Sequence, residues 1–153
     1  MSIKSKTVLV TLVVCVVTWF MSGCDYFEKT ICVDADGQVR GGVVYLPNQE
    51  EPFTGKNVCV YKNGQKAKEG NYKDGKKDGK WTYWHENGQK RSEGNYKDGK
   101  HDGKWTNWHD NGQKSSEGNW KDGKQDGKWT AWNRNGQKQY EVNYKDGVLP
   151  PIG

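Results

Sequence analysis

The chain has 153 residues and a formal net charge of +5; only 32% of its residues are hydrophobic, 28% are charged and 20 are glycines. This length suits one domain, but so few aliphatic side chains exclude the large apolar core of a typical globular enzyme. Lysine and aspartate alternate in turn-like segments such as Lys97-Asp98-Gly99-Lys100. Because the positive charge is not concentrated on one stretch, the composition argues against nucleic acid as a partner.

Residues 1–23 have the pattern of an export signal. Two lysines precede an apolar run from Val8 to Met21, which is too short to span a bilayer as a helix. The following Ser22-Gly23-Cys24 places small residues before a cysteine and resembles the cleavage site of a bacterial lipoprotein. The resemblance implies cleavage after Gly23 and a membrane anchor of acyl chains on Cys24. An ordinary cleaved secretion signal and a retained membrane anchor are the alternatives.

Residues 24–52 are predicted to link the anchor to the rest of the chain and to cap its amino-terminal end. Asp25 resembles the signal that keeps enterobacterial lipoproteins in the inner membrane, which implies the periplasmic face of that membrane if the host has two membranes. Cys32 and Cys59 lie outside the signal. An exported compartment favours a disulfide between them, and two unpaired thiols are the alternative.

Residues 53–147 repeat with a period of 24 residues. A fixed period of this length predicts a stacked array in which each unit packs against its neighbours. Residues 148–153 form a carboxy-terminal tail. The recurring positions are the first tryptophan of each unit (Trp81, Trp105, Trp129), a second tryptophan (Trp84, Trp108, Trp132) and the glycine of an Asn-Gly pair (Gly88, Gly112, Gly136).

Each unit is predicted to form a β-hairpin. An Asn-Gly pair between aromatic-rich segments favours a two-residue turn in which both residues have positive φ. A ring that faces a glycine covers exposed backbone. With the turn centred on Asn87-Gly88, the expected cross-strand pairs are Trp84 with Arg91, Trp81 with Gly94 and, one unit later, Trp105 with Gly118.

The Lys-Asp-Gly-Lys-x-Asp-Gly connection predicts a second tight turn between hairpins. Centring that turn on Asp98-Gly99 places Glu93 opposite Lys104 as a cross-strand ion pair. The chain then forms an all-β, elongated, single-layer antiparallel meander of stacked hairpins. Because side chains alternate between the faces of a strand, one face carries Trp81, Tyr83, Tyr96 and Trp105, and the other carries Trp84, Trp108 and Trp132.

Several sequence features resemble the bacterial variant of the MORN (membrane occupation and recognition nexus) repeat. They are Pro52-Phe53-Thr54-Gly55, the recurring Asn-Gly-Gln-Lys, Glu-Gly-Asn-Tyr at 69–72 and 93–96, and Gly-Lys-Trp at strand starts. The resemblance covers Phe53 to Gly147 and implies an elongated sheet of aromatic and glycine hairpins. Bacterial members are often labelled antitoxins. An exported chain does not suit a toxin made inside the cell, whereas immunity against a delivered toxin is compatible with export.

No residue pattern predicts catalysis, a cofactor or a metal site. Asp34-Ala35-Asp36-Gly37 lacks the further ligands of a calcium loop and is predicted to be a plain turn. A metal site needs three or four converging ligands, and the histidines are predicted to be surface residues at strand ends. The serines have no motif that places a base beside them. The histidines are His85, His101 and His109, and the serines are Ser92, Ser115 and Ser116.

The rows of aromatic residues are the feature with binding potential, because exposed rings stack on sugars and bind cations or apolar groups. Simple packing of the thin sheet is the alternative for most of these rings. The row Trp84, Trp108 and Trp132 is the candidate binding face. The sequence therefore predicts a non-catalytic, lipid-anchored module that binds a protein at the cell envelope, as in an immunity or antitoxin-like protein whose partner is a toxin. The alternative is a carbohydrate- or peptidoglycan-binding envelope protein.

Overall fold

The computed structural model describes residues 31–149, and it confirms the predicted all-β antiparallel meander. Strands β3 to β10 form one eight-stranded sheet in which each strand pairs with its neighbours in sequence. Within residues 31–149 no helix combines the length and apolar character that crossing a bilayer requires. The elements are α1 (Val33–Asp36), β1 (Gln38–Arg40), β2 (Val43–Tyr45), β3 (Gly55–Val60), β4 (Lys66–Lys73), β5 (Lys76–Trp84), β6 (Lys90–Lys97), β7 (Lys100–Trp108), β8 (Lys114–Lys121), β9 (Lys124–Trp132) and β10 (Lys138–Tyr144).

The sheet is packed by tryptophan rings that lie over glycines of the preceding strand. A methyl group added to Gly94 would overlap the Trp105 ring, and the same holds for Gly70 beneath Trp81 and for Gly118 beneath Trp129. These three tryptophans are 0–7% exposed. Each ring therefore buries its area against a backbone that has no side chain, which joins one hairpin to the next.

The expectation that Trp105 covers Gly118 is wrong. The two residues are register partners, but Gly118 also has Trp129 on the following strand, and the Trp129 ring is what lies nearest to the place of a Cβ on Gly118. Indole hydrogen bonds explain this direction in two units. The Nε1 of Trp81 donates to the Asn71 carbonyl, and that of Trp129 donates to the Asn119 carbonyl, so both rings are held against the preceding strand.

The Asn-Gly turn is longer than predicted. The N–H of His85 donates to the Gln89 carbonyl at 2.8 Å and the N–H of Gly88 donates to the His85 carbonyl at 2.9 Å. Gly88 has a φ of 83°, whereas Asn87 is not at positive φ. The extra loop residue shifts the register, so that Trp84 lies opposite Lys90 and not opposite Arg91, while the Trp81–Gly94 pair forms as expected.

The connection between hairpins contains one turn and one bulge. Asp98 and Gly99 have φ values of 51° and 80°, which is the two-residue turn expected there. Gly103, from the second Asp-Gly step, also has positive φ and lies where the register shifts. Because of this bulge Glu93 lies opposite Thr106, so the predicted pairing of Glu93 with Lys104 is wrong.

The described part of the amino-terminal region closes the β3 end of the sheet. Val33 and Val44 pack in one buried cluster with Phe53, Tyr72 and Trp81. Asn57 takes the place of a tryptophan in this first unit; it is fully buried, and its Oδ1 accepts a hydrogen bond from the Val33 N–H at 2.8 Å. A disulfide joins Cys32 to Cys59. The cap thus covers the first unit in the way that a preceding hairpin covers later units.

Substitution of Gly94 by alanine tests the ring-on-glycine contact. Gly94 is not at positive φ, so alanine suits its backbone and any cost comes from overlap with the Trp105 ring. We expect Gly94→Ala to lower the free energy of unfolding by about 1–3 kcal/mol, as overpacked sites do, in urea denaturation. The neighbouring exposed substitution Asn95→Ala should change it by less than about 0.5 kcal/mol. Equal effects of the two substitutions would contradict the contact.

Candidate functional site

The sheet presents two chemically different faces. The aromatic face carries the tryptophans that cover glycines, together with Tyr83 and Tyr96, as predicted. The charged face carries Trp84, Trp108 and Trp132 among lysines and glutamates. The two faces follow from the alternation of side chains along each strand.

Rings on the aromatic face contact one another edge to face. The centroid separations are 5.2 Å for Tyr72–Trp81, 5.5 Å for Tyr96–Trp105 and 5.7 Å for Trp120–Trp129, each with an interplanar angle of 89°. This geometry is favourable for aromatic pairs. Most rings on this face therefore pack against one another. Packing is the alternative to ligand binding that the sequence left open for these rings.

The charged face repeats a Lys–Glu–Lys triad. Glu93 contacts Lys80 at 3.2 Å and Lys90 at 2.7 Å. In the last unit, hydrogen bonds from Lys128 and Lys138 lower the pKa of Glu141 to about 2. Each triad has one net positive charge, so this face carries a regular positive strip. The triads are Lys56–Glu69–Lys66, Lys80–Glu93–Lys90, Lys104–Glu117–Lys114 and Lys128–Glu141–Lys138.

The predicted binding row lies on this charged face and is half-buried. A lysine ammonium lies over each ring: Lys66 is 5.5 Å from the Trp84 centroid, Lys90 is 5.7 Å from that of Trp108, and Lys114 is 5.9 Å from that of Trp132. Equivalent rings are two strands apart, or roughly 10 Å. The row is a flat, periodic surface of indole edges and ammonium groups.

The hairpins coincide with the units of a known family. The model of the MORN repeat variant matches residues 53–74, 77–98, 102–122 and 125–146, together more than half of the chain. The chain belongs to the MORN repeat variant family. The matched segments contain the hairpins β3–β4, β5–β6, β7–β8 and β9–β10 in turn. Repeats of this family mediate interactions with proteins or membranes. No curated protein matches the chain.

Two histidines of the MORN units connect one hairpin to the next. Nε2 of His85 lies 3.1 Å from the Trp108 carbonyl oxygen, and Nε2 of His109 lies 3.0 Å from that of Trp132. Because a carbonyl only accepts, Nε2 carries the proton in both rings. His85 and His109 directly follow the last residues of β5 and β7 and are partly exposed, as expected for strand-end surface residues, and their hydrogen bonds orient them towards the next unit. Across residues 31–149 no group of histidine, cysteine and acidic side chains is arranged to hold a metal ion.

The Asn-Gly loops add a second connection between MORN units. Nδ2 of Asn87 donates to the Asp110 carbonyl at 2.6 Å, and Nδ2 of Asn111 donates to the Arg134 carbonyl at 2.8 Å. The same Asn87 accepts from the Gln89 N–H through Oδ1. Each asparagine therefore shapes its own loop and fixes the next, so the array presents a rigid surface to a partner.

The sequence did not reveal a half-buried lysine on the aromatic face. Nζ of Lys77 lies 4.6 Å, 4.9 Å and 5.3 Å from the centroids of Trp81, Tyr96 and Tyr83, and donates to the Tyr83 hydroxyl at 2.7 Å. Burial lowers the pKa of Lys77 to about 8. The equivalent position is His101 and then Gln125. The sequence signal that could have revealed it is the polar residue Lys77 itself, at a position that strand alternation places on the aromatic face.

The lipidation site and the inner-membrane signal, Cys24 and Asp25, lie outside the described residues. The disulfide cysteines and all the recurring tryptophans and glycines lie within them.

Substitution of Lys77 by methionine tests whether partial burial of the ammonium group lowers the free energy of unfolding. The folded-state pKa of about 8 is below the ordinary 10.5, so the charge opposes folding below pH 8, and this cost is lost as the pH rises towards 10.5. The side chain is partly exposed and three rings attract the cation, so we expect Lys77→Met to stabilise the fold at pH 7 by only about 1 kcal/mol. The gain should disappear near pH 10. Urea denaturation at both pH values, with exposed Lys76→Met as control, measures this; a pH-independent gain would contradict it.

Proposed function

We propose that this MORN protein is a non-catalytic interaction module, anchored at the cell envelope by acyl chains on Cys24, that binds another protein through its charged face. The observation that carries the proposal is the row of half-buried Trp84, Trp108 and Trp132, spaced by one repeat and each beside a lysine. Tryptophans of this kind are typical of the residues that supply most of the binding energy at protein interfaces.

The charges of this face indicate the chemistry of the partner. Each triad leaves one ammonium uncompensated, so a partner with acidic side chains at a spacing of roughly 10 Å is complementary to it. The hydrogen bonds between loops fix the row before binding. Because little ordering is needed on association, less free energy is lost when the partner binds.

The lysines also favour a protein over a glycan on this face. A sugar ring stacks on the flat side of an indole, and Lys90 already lies over the Trp108 ring. Stacking of a carbohydrate or peptidoglycan strand would require each lysine to move. An acidic protein side chain can instead pair with the lysine in place.

The envelope location is supported by two features of the chain. The amino-terminal residues resemble a lipoprotein signal that ends at Cys24, and Cys32 and Cys59 form a disulfide of the kind that persists in oxidising compartments. Asp25 favours the periplasmic face of the inner membrane in a host with two membranes. There the protein is placed to neutralise a toxin that arrives from outside, so we propose an immunity or antitoxin-like role.

Two tryptophan substitutions separate binding from packing. Trp105 is 7% exposed, so Trp105→Ala should cost about 3–5 kcal/mol of stability. Trp108→Ala should cost about 1 kcal/mol and should strongly reduce capture of the partner when the acylated protein is crosslinked and isolated from its own envelope. Tyr140→Ser, an exposed substitution on the aromatic face, is the matched control and should capture the partner normally. Undiminished capture by Trp108→Ala would rule out this face.

Substitution of Cys24 by serine tests the anchor. The hydroxyl cannot take the thioether-linked lipid, and neither the short apolar run nor the polar repeats are expected to give the stable attachment that several acyl chains give. We expect Cys24→Ser to lose incorporation of labelled palmitate and to leave the membrane fraction. Cys15→Ser, within the apolar run, should keep both properties. Palmitate incorporation by Cys24→Ser at the wild-type level would refute the anchor.

A further inference from the structure

We propose that the carboxy-terminal end of the aromatic face is a binding pocket for a neutral sugar, separate from the charged face. A cavity of about 340 Å³ opens there between β7 and β10, within the size range of small-ligand sites. Its walls include Trp105, Trp120, Trp129, Tyr140 and Tyr144. No residue of this cavity belongs to the triads or to the row of Trp84, Trp108 and Trp132.

The cavity exists because the last units depart from the repeat. The position filled by the large Tyr83 ring in β5 is Asn107 in β7 and Ala131 in β9. In β10, Tyr140 replaces the serine found at this position in β6 and β8, and it is 58% exposed. The smaller side chains of Asn107 and Ala131 therefore leave space on the aromatic face, and the Tyr140 ring lines one side of that space.

The lining groups select a neutral, hydroxylated ligand. No lysine, arginine, aspartate or glutamate lines the cavity, and burial lowers the pKa of His101, which keeps its ring neutral at pH 7. Polar contacts are available from Gln125 and from the pair Asn107–Ser116, in which the Asn107 amide donates to the Ser116 hydroxyl at 2.8 Å. Flat rings with a few amide and hydroxyl groups fit the C–H face and the hydroxyls of a pyranose.

An unsatisfied donor at this site favours the same ligand. Nε1 of Trp120 is the one buried side-chain nitrogen or oxygen within residues 31–149 that lacks a hydrogen-bond partner. Such a group costs free energy until it finds an acceptor. The Nε1 atom is closed to solvent in this structure, so a sugar hydroxyl would accept its hydrogen bond once the indole ring turns towards the cavity, whereas a cation would leave the donor unsatisfied. The β5–β6 unit shows the contrast, since there the chain's own Lys77 lies over the Trp81 ring.

The test uses the full-length protein in a detergent without a sugar head group. The Trp120 indole N–H signal is followed by ¹H–¹⁵N NMR as N,N′-diacetylchitobiose, cellobiose or maltose is added to about 10 mM. We expect at least one of the three to give a saturable shift of Trp120, with the Trp84 signal on the charged face unchanged. Absence of a Trp120 shift with all three disaccharides overturns the proposal, as does a shift with choline chloride but with none of the sugars.

Three variants locate the binding. Ala131→Tyr restores the bulky residue that Tyr83 supplies in the β5–β6 unit and should abolish the shift. Tyr140→Ser removes the wall while restoring the repeat residue, and Trp120→Phe keeps a ring but removes the donor; each should raise the Kd about tenfold. Because Trp120→Phe has no Trp120 signal, its binding is followed by the indole N–H signal of Trp129, which also lines the cavity. Trp84→Phe is the control and should bind as wild type does. Wild-type affinity in folded Tyr140→Ser and Trp120→Phe overturns the proposal, and leaves the protein-binding role of the charged face untouched.

Discussion

A single-layer sheet has no second layer against which to bury apolar side chains, and here a tryptophan ring laid over a glycine of the preceding strand supplies that burial. The contact needs both partners, because a Cβ on Gly94 would occupy the space of the Trp105 ring. It also joins one hairpin to the next, so each further hairpin of the array buries another tryptophan ring. At the β3 end, where Asn57 stands in place of the ring, the disulfide-linked cap covers the unit.

The same constraint gives the two faces their different roles. Rings that cover glycine spend one side on packing, so most of the aromatic face stabilises the sheet. The second tryptophan of each unit has no glycine to cover; it stays half-buried beside a lysine, and the triads surround it with charge. An interaction module of the MORN type follows from this division, since one face stabilises the sheet and the other is free to meet a partner.

Departures from the repeat carry the remaining functional information. A perfect repeat presents the same surface in every unit, whereas here one position changes from Lys77 to His101 to Gln125, and another from Tyr83 to Asn107 to Ala131. On the aromatic face, Lys77 thus lies among the rings of the β5–β6 unit, whereas a cavity lined without lysine opens at the carboxy-terminal end. The consensus thus supplies the repeated row on the charged face, and the differences between units supply the cavity on the aromatic face.

The sequence by itself determined the hairpin unit, the order of the strands and the separation of Trp81 from Trp84, because the period, the turn residues and the alternation of a strand are local properties. It could not determine the register beyond the turns, since the loop at Asn87 and the bulge at Gly103 depend on hydrogen bonds that only the paired strands provide. The choice of glycine beneath each ring was also undecided, because a glycine such as Gly94 has a tryptophan partner on each neighbouring strand. The cavity and the unsatisfied Trp120 donor arise from side chains of four strands, so only the tertiary structure brings them together.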